Sequence, residues 1–133
     1  MKKVVLVGHC GADSSYLRIA VSSAGAAGVS VVTADDQESL DAALSGNGVE
    51  LVLINRVLDW GFEDQEGVAL IAHLRHSHPH VKTMLVSNYP ESQAAAVAAG
   101  ALPGFGKREI GSPRVKELLK SALGAGTATA KAV

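Results

Sequence analysis

Short runs of apolar, mostly branched residues alternate along this chain with stretches whose apolar residues recur at helical spacing. Two of these runs, at positions 3–7 and 51–55, are almost continuously apolar, as expected for parallel strands that are buried on both faces. Further runs predict strands at 29–33 and 82–87, and the weakest pattern predicts a fifth strand around 104–106. Strands and helices that alternate in this way are typical of a parallel α/β sheet.

The helical stretches carry signals for their first residues. Asp13 can cap the first helix, and Asp35, followed three residues later by Glu38, predicts a capping box for the second. An alanine-rich stretch at 92–99 predicts the fourth helix, and Ser112 before a proline predicts the start of the fifth. With right-handed crossovers, this pattern predicts a flavodoxin-like, doubly wound (βα)5 sandwich whose five-stranded parallel sheet has the order 2-1-3-4-5.

Composition limits the classes of function. A chain of 133 residues and 13.6 kDa predicts one stand-alone domain at 1–124 without a fused output domain, followed by a disordered tail at 125–133. Twelve basic against 13 acidic residues leave a net charge of -1, which argues against nucleic-acid binding. One cysteine, and no apolar run as long as a membrane span, predict a cytoplasmic protein that does not enter the membrane.

Four segments at the predicted carboxyl ends of the strands carry a resemblance to a known family. They are LVLINRVLD with Asn55, EGVALI with Gly67, MLVSNYPE with Ser87 and AGALPGFGKREI with Lys107. In their order and spacing, the chain resembles the receiver domain of bacterial two-component response regulators over residues 2–124. The resemblance implies a signalling domain in which Asn55 stands at the phosphoacceptor position, Ser87 at the hydroxyl position and Lys107 at the lysine position.

The chain departs from the receiver pattern at the residues that carry the chemistry. An acyl phosphate forms on a carboxylate, whereas the neutral amide of Asn55 is not a competent nucleophile. Receivers hold Mg²⁺ with two acidic residues after the first strand, where this chain has Gly8, His9 and Cys10. The site thereby loses about three negative charges, so we expect weak Mg²⁺ binding and no conventional phosphotransfer. The sequence is therefore similar to a pseudo-receiver.

The aromatic switch residue of receivers is also displaced. In receivers it lies three positions before the lysine and moves with the hydroxyl residue on activation. Counting back from Lys107, that position is Gly104, and Phe105 is one position away. Either a register shift brings Phe105 into the role, or the aromatic switch is absent.

The resemblance brings seven residues together in one pocket: His9, Cys10, Asp13, Asn55, Asp59, Ser87 and Lys107. A buried ammonium group without a partner is costly, so Lys107 needs an acceptor, and Asn55, Asp13 and Asp59 are the candidates. Two interpretations stay open. Lys107 and Ser87 bind a small acidic ligand in a remodelled site, or the cluster only holds the loops together.

Other side chains suggest further hypotheses. Asp59 or Asp64 would be a displaced phosphoacceptor, although four residues of displacement move Asp59 away from Lys107. His9 and Cys10 offer donors for zinc, but two ligands do not make a zinc site, and Cys10 would alternatively respond to oxidants. Four histidines between positions 73 and 80 would bind metal only incidentally. We predict no metal and no cofactor.

Large side chains in predicted loops indicate contact with a signalling partner. The docking candidates are Arg56, Trp60, Phe62 and Phe105, although Trp60 would alternatively fold back over the empty site. The helices at 92–99 and 112–123 flank the face that receivers use for dimerisation, which allows a homodimer. We therefore predict a pseudo-receiver that signals through phosphorylation-independent protein contacts and is not an enzyme. The alternative is a sensor that binds a small ligand or metal in the remodelled pocket.

Overall fold

A computed structural model describes residues 2–24, 28–46, 48–58 and 61–123. The predicted tail at 125–133 and two candidate residues, Asp59 and Trp60, lie outside the described residues. None of the helices in these ranges is long and apolar enough to cross a membrane.

Five parallel strands form one sheet. They are β1 (Lys2–Val7), β2 (Val29–Ala34), β3 (Val49–Asn55), β4 (Lys82–Val86) and β5 (Leu102–Phe105). Five helices connect or follow them: α1 (Gly11–Ala24), α2 (Gln37–Ser45), α3 (Gly67–Ser77), α4 (Pro90–Ala99) and α5 (Pro113–Ala122), with a 3₁₀ turn at Lys107–Glu109 before α5. The sheet order is β2-β1-β3-β4-β5, and every neighbouring pair is parallel. The predicted flavodoxin-like fold and strand order are confirmed.

Side chains of the central strands point alternately to two separate cores. On one face, Leu6 and Leu53 pack with Leu17 of α1 and Leu119 of α5. On the other face, β1 and β3 contribute Val5, Val7, Val52 and Ile54, which pack with apolar residues of α2, α3 and α4. Because both faces are covered, the central strands must be apolar at nearly every position, which explains the continuous runs in the sequence.

Three helix starts differ from the predicted ones. Helix α1 begins at Gly11, so Asp13 lies within its first turn rather than capping it. Helix α2 is capped by Asp36 instead of Asp35, and its capping box is completed by Ser39, whose side chain accepts from the Asp36 backbone. Helix α4 begins at Pro90, because proline is well suited to a first turn, where its missing N–H would have no partner.

Gly67 brings α3 close to the end of β3. A Cβ atom on Gly67 would lie 2.3 Å from the Asn55 carbonyl oxygen and 2.8 Å from Leu85 Cδ1, so no larger residue fits there without movement. The Gly67 amide donates to the carbonyl of Arg56 at 2.8 Å. The glycine that the resemblance placed at the start of the third helix thus positions the loop that carries Asn55.

Candidate functional site

Three predicted site residues line one cavity at the carboxyl edge of the sheet. The cavity measures about 310 Å³ and is lined by Asn55, Arg56, Val57, Val86, Ser87, Asn88, Tyr89 and Lys107. Asn55 ends β3, Ser87 follows β4, and Lys107 follows β5, so the parallel topology itself brings them together. No acidic residue is among these lining residues.

The amide of Asn55 is used within its own loop. Its Nδ2 donates to the carbonyl of Val57 at 2.9 Å, which closes a turn at the end of β3. This contact uses one donor of a side chain that carries no charge. Asn55 therefore supplies neither a nucleophile nor a counter-charge for the nearby lysine.

The counter-charge of Lys107 comes from α1 instead. Lys107 Nζ lies 2.9 Å from Asp13 Oδ2, and both side chains are partly exposed. The hydrogen bond from Lys107 is the main cause that holds the pKa of Asp13 below its ordinary value. Of the three candidate acceptors for Lys107, the structure places Asp13 in contact with it.

His9 and Cys10 do not line the cavity. The His9 side chain is buried, and its Nε2 donates to the carbonyl of Leu53 at 2.9 Å. Its Nδ1 is buried without a hydrogen-bond partner among the described residues. Burial is the main cause that lowers the pKa of His9, so the ring is held neutral. Cys10 is exposed, and its Sγ accepts from the Asp13 amide at 3.4 Å.

Ser87 is buried and joins β4 to its neighbours. Its amide donates to the carbonyl of Phe105 at 2.9 Å, and its Oγ accepts from the Tyr89 amide at 3.1 Å. The hydroxyl thus points toward the cavity wall formed by the loop after β4. Ser87 thus lies at the end of β4, on the same cavity as Asn55.

Arg56 and Tyr89 meet at the cavity, a contact that the sequence analysis missed. The guanidinium carbon of Arg56 lies 4.7 Å from the centre of the Tyr89 ring, within the range of a cation–π interaction. Tyr89 is half exposed, and both residues line the cavity. Since they lie in loops after different strands, no spacing rule along the sequence would have paired them.

Two predicted docking residues are buried and therefore belong to the core. Phe62 is 5% exposed and packs with the apolar residues between the sheet and α2, α3 and α4. Phe105 is 1% exposed and packs on the opposite face, against α1 and α5. Phe62 and Phe105 were predicted to be exposed because they lie in a loop or at a sheet edge. Burying a large aromatic ring in an apolar core is strongly favoured. Of the docking candidates within the described residues, Arg56 is the exposed one.

A larger groove between α1 and α5 was not foreseen. It measures about 680 Å³ and is lined by Tyr16, Ile19, Ala20, Ser23, Lys107, Arg108, Ile110, Gly111, Ser112, Pro113 and Lys116. Tyr16 is 61% and Ile19 is 64% exposed, although both are large and apolar. A signal for it is present in the sequence, because these two residues lie outside the buried stripe of α1 that includes Leu17 and Val21.

The histidine-rich end of α3 has an ordinary structural role at one position. His73 Nδ1 lies 3.4 Å from Asp64 Oδ2, which ties the helix to the preceding loop. Within the described ranges, no group of three or more histidine, cysteine or acidic residues is arranged to hold a metal ion.

Several solved structures similar to this chain are receiver domains. No protein-family model matches the chain, and no curated protein matches it in sequence. NtrX from Brucella abortus is 21% identical with a TM-score of 0.74, over 99% of this chain and 29% of that chain. This chain thus spans less than a third of the NtrX chain.

Two further structures match over most of both chains. The signal receiver domain of an HD domain-containing protein from Pseudomonas fluorescens Pf-5 is 18% identical with a TM-score of 0.74, over 99% of this chain and 93% of that one. The beryllofluoride-activated NtrC4 receiver domain, a dimer in solution, is 16% identical with a TM-score of 0.72, over 94% of this chain and 98% of that one. The chain therefore has the fold of response regulator receiver domains.

Proposed function

We propose that the protein is a pseudo-receiver that acts in signal transduction through protein–protein contacts that do not depend on phosphorylation. The observation that carries this proposal is the cavity beside Asn55, which has no carboxylate among its lining residues in the described part of the chain. Phosphotransfer to a receiver requires a carboxylate nucleophile and hard oxygen ligands for Mg²⁺. The neutral amide of Asn55 is not a nucleophile, and its oxygen carries no negative charge for Mg²⁺.

The charge around Lys107 supports the same proposal. In a receiver, this lysine would pair with the acceptor carboxylate. Here Asn55 offers no charge, and Lys107 Nζ lies 2.9 Å from Asp13 Oδ2 instead. His9, one of the three residues found where receivers have their acidic pair, is buried, and burial lowers the pKa of its ring.

A titration with Mg²⁺ and beryllofluoride, followed in ¹⁵N amide spectra, tests the loss of phosphoryl chemistry. We expect no shifts at Asn55, Ser87 or Lys107 in the wild type. The matched variant Asn55→Asp restores the carboxylate and reports how much of the loss depends on this one position. Shifts at these amides in the wild type would contradict the proposal, and a parallel titration of Asp59→Ala would show whether Asp59 is the acceptor.

The groove between α1 and α5 is the surface we propose for partner contact. Tyr16 and Ile19 expose apolar side chains, while Arg108 and Lys116 supply positive charge, and none of its lining residues is acidic. Exposed apolar surface beside charges of one sign favours a partner of complementary character. The occupant that fits is a segment of a signalling protein that presents apolar side chains flanked by carboxylates.

Photo-crosslinking in cells tests this surface. A photoreactive residue replaces Ile19, and a second version places it at Ala72, which is exposed on α3. We expect one crosslinked species from position 19 that is lost when Arg108→Glu and Lys116→Glu are added, and that is absent from position 72. A species from position 19 that forms equally well after both charge reversals would show that charge complementarity does not select the partner.

A second candidate function is the binding of a small anion in the 310 Å³ cavity. Arg56 and Lys107 line this cavity, no acidic residue is among its described lining residues, and Ser87 adds a hydroxyl, while the Lys107 charge is shared with Asp13 outside the cavity. Calorimetric titration with inorganic phosphate tests this function, with Arg56→Ala as the variant. Saturable heat that is lost in the variant would favour a ligand sensor, whereas the absence of heat would leave the protein-contact function.

A further inference from the structure

Strands β4 and β5 approach each other unusually closely at Gly104. Their register shifts between the pairs Met84–Leu102 and Val86–Phe105. A Cβ atom on Gly104 would lie 2.2 Å from the carbonyl oxygen of Leu85, so even alanine would force the strands apart. Gly104 is the position three residues before Lys107, where receivers have their switch aromatic. That aromatic side chain is therefore sterically excluded here, and Phe105 is packed in the core.

The side chain of Gln93 from α4 fills the space at this junction. Its Nε2 donates to the carbonyl oxygens of Leu85 at 2.8 Å, Ser87 at 3.1 Å and Phe105 at 3.3 Å. Its Oε1 accepts from the Gly104 amide at 3.2 Å. One partly buried amide thus contacts backbone groups on both strands and on the loop after β4, and it uses both its donor and its acceptor capacity.

Other side chains hold the opposite side of β5. Arg114 donates to the carbonyl of Gly104 at 3.2 Å, and Glu109 accepts from the Gly106 amide at 3.0 Å. Arg114 and Glu109 also pair with each other at 2.8 Å. A short edge strand exposes backbone groups that need partners, and at β5 they find them in side chains.

We propose that Gln93 is a lock that holds α4, β4 and β5 in one arrangement, so that this face is a fixed surface and not a switch. Movement of α4 away from the sheet would leave several backbone groups at the junction without partners at once, which makes partial opening costly. The inference rests on the proposed function and deepens it. A domain whose partner binds without phosphorylation presents this face in a single conformation. Gln93 acts here as a positioning residue.

Amide exchange and relaxation dispersion on Gln93→Met test the lock. Methionine keeps the length of the side chain and removes all four hydrogen bonds. The matched control is Gln65→Met, because Gln65 is exposed in the loop before α3. In the wild type and the control, we expect no millisecond exchange in α4 or at Ser87. In Gln93→Met, we expect concerted exchange of these amides with one common rate, and exchange of the Gly104 amide that is faster by about tenfold or more.

A second variant covers the case in which Gln93→Met does not fold. Gln93→Glu places a carboxylate against three carbonyl oxygens at neutral pH, and protonation in acid restores one donor. We expect millisecond conformational exchange of the α4 amides in this variant, measured by relaxation dispersion against the wild type at the same pH, to increase as the pH rises, which a residue with a purely local packing role would not produce. An effect confined to the Gly104 amide, or none at all, would overturn the lock.

The outcomes separate the lock from the proposed function. If the exchange data overturn the role of Gln93 but the wild type does not respond to beryllofluoride, the pseudo-receiver proposal stays in place. A wild-type response to beryllofluoride would overturn the pseudo-receiver proposal, while the exchange data would still decide the role of Gln93.

Discussion

The buried ring of His9 makes a specific prediction about stability against pH. The ring is 7% exposed, its Nδ1 has no partner among the described residues, and the Lys107 charge opposes its protonation. Since the pKa of His9 is lowered in the folded state, the unfolded chain binds this proton more readily. The contribution of His9 to the free energy of unfolding is therefore fully present above the ordinary pKa of 6.5, and it is lost as the pH falls below that value.

The size of the effect follows from the linkage of one proton. Each pH unit below the unfolded pKa removes at most about 1.4 kcal/mol, until the folded ring also takes up the proton. Between pH 7.5 and pH 5.5, we expect a loss of up to about 1.4 kcal/mol from His9 alone. The pKa of Asp13 is lowered too, but its contribution is lost only around and below its ordinary value of 3.8, outside this window.

Urea unfolding at several pH values measures this loss. His9→Gln removes the titrating group and keeps an amide N–H as a donor, so we expect the variant to lose stability overall but to respond less to pH than the wild type. The remaining four histidines are common to both proteins, and their effect cancels in the comparison. Equal pH slopes for the two proteins would refute the assignment of the effect to His9.

Three further predictions concern the core, the ion pair and self-association. Phe105→Ala should cost about 3–5 kcal/mol in urea unfolding, because its ring is 1% exposed, and a loss under about 1 kcal/mol would contradict its place in the core. A double-mutant cycle of Asp13→Asn and Lys107→Met should give a coupling of about 0.2–1 kcal/mol, since both side chains are partly exposed, and a coupling of zero would remove Asp13 as the partner of Lys107. If the chain dimerises through α4 and α5, Val97→Glu should shift it to monomer in analytical ultracentrifugation, because Val97 is 45% exposed on α4.

The fold was predictable because the pattern of apolar residues along the chain agrees with the strands and helices of the structure. Continuous apolar runs indicated strands covered on both faces, and right-handed connections reduced the possible strand orders to a few, of which the predicted flavodoxin-like order is confirmed. The convergence of Asn55, Ser87 and Lys107 was predictable for the same reason, since parallel strands end at one edge of the sheet. The capping of α2 by Asp36 was missed, because Asp35 and Asp36 are adjacent and each has a plausible residue three positions later.

Side-chain partners were much less predictable. Three acceptors for Lys107 were compatible with the sequence, and among the described residues the path of α1 brings Asp13 into contact with it. Phe62 and Phe105 looked like surface groups, because the number of apolar neighbours around a loop residue depends on elements that are distant along the chain. Gln93 carried no signal at all, since its role requires two strands and a loop to approach one amide.

The sequence by itself determined the alternation of strands and helices and the absence of a carboxylate at position 55, because these depend on residue type and on short-range periodicity. The tertiary structure decided the partner of Lys107, the burial of His9, the groove between α1 and α5, and the close approach of β4 and β5 at Gly104. Each of these is a distance or an exposure set by the packing of elements that are far apart in the chain. Hydrophobic pattern specifies which face of an element is buried, but it does not specify which polar atoms come to lie within hydrogen-bonding distance.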